Sequence, residues 1–193
     1  MHLDLYVEEP SARRALEGLL PRLLGNDDTF NVNTFRSKGD LLKKVPDRLR
    51  GYSTWLPQDW RIVILVDQDS DDCKKLKRRI LRAAKNANLD DRVLVRIVVE
   101  ELEAWWFGDV PALQAVYPRV PSGLSAKARY RDPDAIAGGT WEALDRELRR
   151  AGYGQGLNKG HLAEAIVPHL DVNINTSRSF QVFRDGIRRL CSS

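Results

Sequence analysis

The chain has 193 residues, 42% of them hydrophobic and 30% charged, with a formal net charge of +4. That balance describes a soluble globular protein of one large domain, or a domain with an appendage, and no apolar run approaches the roughly 20 residues a membrane helix needs. Cys73 and Cys191 are the only cysteines and stand at unrelated positions, so neither a disulfide framework nor a zinc site is indicated. No signal peptide is evident ahead of the first strand, so a reducing cytoplasm is the expected compartment. The basic residues are mostly arginine. That suits bidentate contact with phosphate, and a modest excess equally suits a solvated surface; where the charge lies matters more than its sum.

In chain order, His2 to Val7 reads as a strand ending in Glu8-Glu9-Pro10. Ser11 is placed to cap a helix with Ala12, Ala15, Leu16, Leu19, Leu20 and Leu23 on its buried face, shortened or kinked at Pro21. Phe30 to Phe35 is a second strand. Ser37-Lys38-Gly39 then leads into a helical pattern of Leu41, Leu42, Val45 and Leu49, where Pro46 predicts a kink or two short helices.

The third strand, Ile62-Val63-Ile64-Leu65-Val66, is apolar throughout, as a strand buried on both faces must be, and breaks into Asp67, Asp69, Asp71 and Asp72. In open α/β sheets ligands sit beyond the carboxyl ends of the strands. Asp67 and Asp69, two residues apart, can point the same way there and suit Mg2+ or Mn2+. The competing explanation for such a cluster is a turn plus a helix cap, a role that fits Asp71 or Asp72. The helix from Asp72 to Asn88 buries Leu76, Ile80, Ala83, Ala84 and Ala87. Its other surface carries Lys74, Lys75, Lys77, Arg78, Arg79, Arg82 and Lys85, either a track for a phosphate backbone or a solvated outer face.

Val93 to Val99 is a fourth strand running into Glu100-Glu101-Leu102-Glu103-Ala104-Trp105-Trp106. Strands separated by helices imply right-handed crossovers and a parallel sheet, which gathers three acidic strand ends on one edge. Residues 1–108 thus read as an α/β core and 109–193 as a loop-rich, helical extension packed on it. In that extension Asp109 caps a short helix with Pro111 in its first turn. Lys127, Arg129 and Arg131, with Tyr130 among them, form a loop that could grip nucleic acid by charge and stacking, or be a mobile surface loop. Thr140 begins a helix with Trp141, Leu144 and Leu148 inward, and Gly152 to Gly156 is a linker. Lys159 to Val167 and Ser177 to Leu190 are the last helices. His161 and His169 lack partners at a metal-site spacing and read as surface or packing residues.

A glutamate closing the first strand and an Asp-x-Asp closing the third form the pattern of the Toprim domain. Tyr6-Val7-Glu8 with Ser11, Ser37-Lys38-Gly39-Asp40-Leu41-Leu42, Val66-Asp67-Gln68-Asp69-Ser70-Asp71-Asp72-Cys73, Glu101-Leu102-Glu103-Ala104-Trp105 and Ser179-Phe180-x-x-Phe183 resemble one small stand-alone bacterial Toprim family, long described only as a domain of unknown function. The departure is Glu9-Pro10, where many Toprim domains place glycine. Similar stand-alone Toprim proteins include nuclease effectors encoded beside an ATPase in phage-defence systems, with transfer RNA among their substrate classes. The resemblance implies a Rossmann-like, mostly parallel four-stranded sheet and a nuclease dependent on Mg2+ or Mn2+.

By that likeness Glu8, Asp67 and Asp69 are catalytic and bind the metal, with Glu8 as general base or acid. Glu101 and Glu103 complete the metal set; if their segment is helical, Glu100 with Glu103 becomes the same-face pair. Lys38, Lys74, Lys127, Arg129, Arg131 and Lys159 are the expected nucleic-acid contacts. The expected partners are RNA or DNA, an ATPase encoded nearby and a second copy of the chain, with no membrane. Two alternatives stand beside this: a phosphotransferase like the haloacid dehalogenases, with Asp67 as nucleophile, and a non-catalytic Mg2+-binding regulatory or docking module.

Overall fold

The computed structural model of the chain describes residues 1–69, 71–99, 101–154 and 157–191. Strands and helices alternate through the first half: β1 (His2–Val7), α1 (Pro10–Leu19), β2 (Thr29–Thr34), α2 (Lys38–Tyr52), β3 (Trp60–Asp67), α3 (Cys73–Asn86) and β4 (Val93–Val98). The strands form one four-stranded sheet, all parallel, in the order β2-β1-β3-β4. This is the α/β architecture expected from the sequence.

Alternation along each strand sorts side chains onto two faces. Leu3, Leu5 and Val7 of β1 join Val63 and Leu65 of β3 and the apolar face of α1. Tyr6, Ile62, Ile64 and Val66 pack instead with Leu41, Val45 and Leu49 of α2 and Leu76, Ile80 and Ala84 of α3. Covered on both sides, Ile62 to Val66 are no more than 3% exposed, which accounts for the uninterrupted aliphatic run. Asp4, in the middle of β1, is also buried, and it accepts hydrogen bonds from Asn33 (2.7 Å) and Asn31 (3.3 Å) of β2 and from the Tyr52 hydroxyl.

Three local expectations need correction. Ser11 lies inside α1 instead of capping it: Pro10 is preset for the first helical turn, the cap position falls to Glu9, and Ser11 Oγ donates to Glu9 Oε2 (3.0 Å). Pro46 does not divide its helix, since α2 runs unbroken across it with Leu41, Val45 and Leu49 buried on both sides of the proline. Trp141 is half-buried, with Ala143, Leu144 and Leu148 supplying the inward face.

The second half comprises α4 (Ala104–Phe107), α5 (Val110–Val116), α6 (Thr140–Arg150), α7 (Lys159–Ile166) and α8 (Arg178–Cys191), with short 3-10 turns between. Its apolar side chains belong to the same cluster as Leu3, Leu5 and α1, so these helices extend the core on one face of the sheet. Trp105, fully buried, donates from Nε1 to Ser179 Oγ (3.1 Å) and packs against the rings of Phe180 and Phe183, each 5.2 Å away. Among the described residues no helix is long and apolar enough to cross a membrane.

α8 begins on a carboxylate from elsewhere in the chain. Asp134 accepts from the Ser179 backbone N–H (3.2 Å), the Arg178 N–H and the Ser179 hydroxyl (2.6 Å) at the start of α8. The loop ahead of α8 is pinned to the end of α4, where Asn175 donates to Trp105 O (2.9 Å) and the Thr176 N–H donates to Gly108 O (2.9 Å). Gly108 permits that approach, for a Cβ there would meet Asn175 Oδ1 and lie 2.8 Å from the Ser177 backbone nitrogen. Gly108→Ala is therefore expected to cost about 1–3 kcal/mol, measured as a lower denaturant midpoint at unchanged slope; an unchanged midpoint would mean that the 175–177 turn yields freely.

Glu147 of α6, 2% exposed at its side chain, anchors the preceding loop. It accepts from Lys127 Nζ (2.8 Å), the Tyr130 hydroxyl (2.9 Å) and Arg150 (2.6 Å). Burial acts to raise its pKa, but the bonds from Lys127 and Tyr130 and the basic charges outweigh it, so the group sits below its ordinary 4.5. A carboxylate depressed in the folded state stabilises above its unfolded pKa and loses that contribution as pH falls through the folded value. Glu147→Gln is expected to cost about 1–3 kcal/mol at neutral pH, with the gap to wild type closing below about pH 4.5; a pH-independent gap in urea titrations would refute the ionic origin.

Candidate active site

β1 and β3 are adjacent and parallel, with Tyr6 opposite Ile64, and both run out at one edge of the sheet. From β1 the chain crosses to β2 on one side, then returns past β1 to β3 on the other. That reversal is where open α/β sheets bind ligands, and Glu8 and Asp67 stand on either side of it.

Glu8 is 9% exposed, and its Oε2 is buried with no hydrogen-bond partner among the described residues. Burial pushes its pKa up to about 7, the charge of Asp69 adds to the rise, and the charge of Lys38 opposes it. Asp67 is raised well above the usual carboxylate range, by burial first and then by the charges of Glu8, Glu103, Glu9 and Asp69. Glu103, 3% exposed, is pushed up to about 7 by burial, against the charge of Lys159. Carboxylates gathered this closely resist ionising together unless a cation joins them.

Asp69 lies just beyond β3, exposed, with its backbone at φ 47°, a left-handed conformation that aspartate tolerates better than most residues. Its Oδ2 is 2.6 Å from Lys38 Nζ. Lys38, in the first turn of α2, also pairs with Asp71 (2.9 Å) and donates to the Gln68 carbonyl (3.0 Å), clamping the loop after β3. Asp72 is the cap of α3, its Oδ1 accepting from the backbone N–H groups of Lys74 (2.9 Å) and Lys75 (3.0 Å). A cleft of about 590 Å³ opens beside the pair, lined by Glu8, Glu9, Arg36, Lys38, Gly39 and Asp69.

Glu101 and Glu103 part company. Glu101 accepts from the Trp141 N–H (2.9 Å), Thr140 Oγ1 (3.3 Å) and Lys159 (3.0 Å), so it serves as a remote cap for α6. Burial would raise its pKa, but those bonds hold it below the usual value. Glu103 is the one whose charge bears on Asp67, with Lys159 Nζ 3.8 Å away. Glu101 is thus taken up in structure, and Glu100 lies outside the described residues, as do Gln155 and Gly156 of the expected linker.

The expected basic contacts are scattered. Lys38 belongs to the site, Lys159 pairs with Glu101 and Glu103 beside it, and Lys74 is exposed in the first turn of α3. Lys127 is tied to Glu147, and Arg129 packs 5.7 Å from the centre of the Tyr130 ring, while Arg131 is exposed. Tyr130 cannot serve as a stacking platform for a base. It is 1% exposed and stacked on Phe107 at 4.9 Å, a core residue in a loop whose composition resembles a surface. His161 and His169 are exposed. Glu9, the residue that departs from the Toprim pattern, lines the cleft, and so does Arg36, which the motifs did not single out and whose adjacency to the Ser37 cap was the available signal.

The residues fit a hard divalent cation in their chemistry: oxygen donors, a buried carboxylate oxygen without a partner, and two carboxylates, as many as Mg2+ needs beside water and phosphate. Among the described residues, no group of three or more His, Cys, Asp or Glu side chains is gathered so as to hold an ion unaided. The third donor, Asp69, is held by Lys38. No curated protein and no solved structure matches the chain. A family described as a domain of unknown function (DUF4276) matches residues 7–188, from the end of β1 into α8, and the chain belongs to that family.

Proposed function

We propose that the protein is a divalent-metal-dependent nuclease of Toprim type, hydrolysing phosphodiester bonds in RNA, transfer RNA included, or in DNA. The observation that carries this reading is Glu8 beside Asp67 at the switch point of the sheet, with Glu8 Oε2 buried and unpartnered among the described residues. The Toprim resemblance adds a role as a phage-defence effector working with an ATPase.

Glu8, Asp67 and Asp69 would hold Mg2+ or Mn2+, which when bound polarises the scissile phosphate and stabilises its developing charge. Asp69 takes that part by releasing Lys38, whose ammonium, still held by Asp71 and the Gln68 carbonyl, would face a phosphate oxygen across the cleft. Glu8 is placed to take a proton from the attacking water or to return one to the leaving oxygen. Lys159 lowers the negative charge of the flank that holds Glu103, and Glu101 keeps α6 in place.

A second reading, a non-catalytic regulatory module, draws support from the same lysines, because Lys38 and Lys159 already pair with Asp69, Asp71, Glu101 and Glu103. One assay separates the two: total RNA, transfer RNA, and single- and double-stranded DNA incubated with the protein in Mg2+, Mn2+ or chelator, alone and with a neighbouring ATPase. Cleavage should require the metal and fall by about 100-fold or more in Glu8→Ala and in Asp67→Ala. Glu101→Gln should lose stability while retaining cleavage. Undiminished cleavage by Asp67→Ala would remove that residue from the mechanism, and no cleavage under any condition would favour the regulatory module.

A further inference from the structure

α3 presents a basic stripe whose chemistry the carboxylate site does not use. Its apolar side, Leu76, Ile80 and Ala84, is buried against the sheet. The opposite side carries Lys75, Arg78, Arg79 and Arg82, all exposed and spaced by three and four residues, which places them in one row along the helix. None of these side chains makes an ion pair among the described residues; those of Lys75 and Arg78 bear on the Asp72 carboxylate only through space.

Lys75, Arg78, Arg79 and Arg82 enclose about 240 Å³ of space between their side chains, and Arg79 and Arg82 border a second cleft of about 180 Å³ shared with Arg50 of α2. The stripe begins at the end of α3 nearest Asp69 and leads away from the carboxyl edge.

Its chemistry narrows the partner. A protein interface has an apolar centre, and a membrane-surface helix needs an apolar face to insert. Among the described residues the exposed large hydrophobic side chains, Trp55 and Ile174, are both outside α3. Single-strand binders add aromatic platforms for the bases, and α3 has no aromatic residue. What remains is a regular row of cations, mostly arginine, over about 10 Å of helix. That matches about three phosphates of one strand of a duplex, spaced by about 3.4 Å along its axis.

We propose that the outer face of α3, through Lys75, Arg78, Arg79 and Arg82 with Arg50 at its border, docks the phosphate backbone of a double-helical nucleic acid and leads it to the carboxyl edge of the sheet. The second half of that statement rests on the nuclease reading; the docking itself does not.

The test is binding of a fluorescein-labelled DNA duplex, and of its separate strands, over a salt series in chelator, with wild type and an Arg78→Gln, Arg79→Gln, Arg82→Gln triple variant. The control removes three exposed arginines elsewhere, Arg13→Gln, Arg146→Gln and Arg178→Gln. The slope of log Kd against log salt should flatten in the α3 variant by about 2.7, three charges at about 0.9 each. Over a fourfold rise in salt, wild-type binding should then weaken about 40-fold more than that of the variant. The control should keep the wild-type slope. An α3 variant that binds like wild type, a control that loses as much, a preference for single strands untouched by the α3 changes, or no duplex binding at all would each overturn the proposal. Duplex binding that depends on α3 without metal-dependent cleavage would remove the nuclease reading and leave the docking face. Cleavage that depends on Asp67 but ignores the α3 charges would do the reverse.

Discussion

Parallel pairing of β1 with β3 is the constraint from which the site follows. Both strands are sealed on two faces by apolar side chains, so polar chemistry has no place along their length except where neighbours satisfy it. It collects where the strands end, and because the pairing is parallel, both ends arrive at one edge. The crossover from β2 to β3 passes over β1, so two connections diverge there and leave the opening occupied by Glu8 and Asp67. In an antiparallel pair these acids would stand at opposite ends of the sheet.

Two buried carboxylates on β1 and in its exit show what separates a structural acid from a chemical one. Asp4 accepts from Asn31, Asn33 and Tyr52, which explains why β2 carries two asparagines where a strand would ordinarily place apolar or β-branched side chains. Glu8, four residues later, has an oxygen with no partner among the described residues and faces further acids. Leaving a buried acceptor unsatisfied costs about 1–3 kcal/mol. A fold that satisfies Asp4 so fully and leaves Glu8 open concentrates its cost at the switch point, where bound cations or substrates can offset it.

The sequence made the elements legible wherever local physics decided them. β1 falls on the expected residues, and β3 and α3 follow from an aliphatic run and a strongly amphipathic pattern that no tertiary contact overrides. Partners distant in sequence were not legible. α6 begins behind Gly139 with no side-chain cap of its own, and the missing acceptor is Glu101, some forty residues away. α8 likewise takes Asp134. Capping rules look a few residues along the chain, so the capping role of Glu101 was invisible beside its resemblance to a ligand. Tyr130 misled in the opposite sense: among exposed basic residues it passed for a surface aromatic, yet Phe107 and Glu147 hold it inside.

These remote caps bind the second half of the chain to the chemistry of the first. Glu101 orients α6, while Lys159, at the start of α7, reaches back to Glu101 and Glu103. The charge balance around Asp67 therefore depends on a helix that begins more than ninety residues beyond it. Trp105 supplies the mechanical counterpart, holding the segment after β4 against Phe180 and Phe183 of α8. A cut after Gly108 would leave β1 to β4 and their acids intact in sequence. It would also expose the face covered by α5 to α8 and strip Glu103 of its lysine, so the carboxyl edge would keep its acids without the means of tolerating them. The site is a property of the whole chain, although every acid in it comes from the first 103 residues.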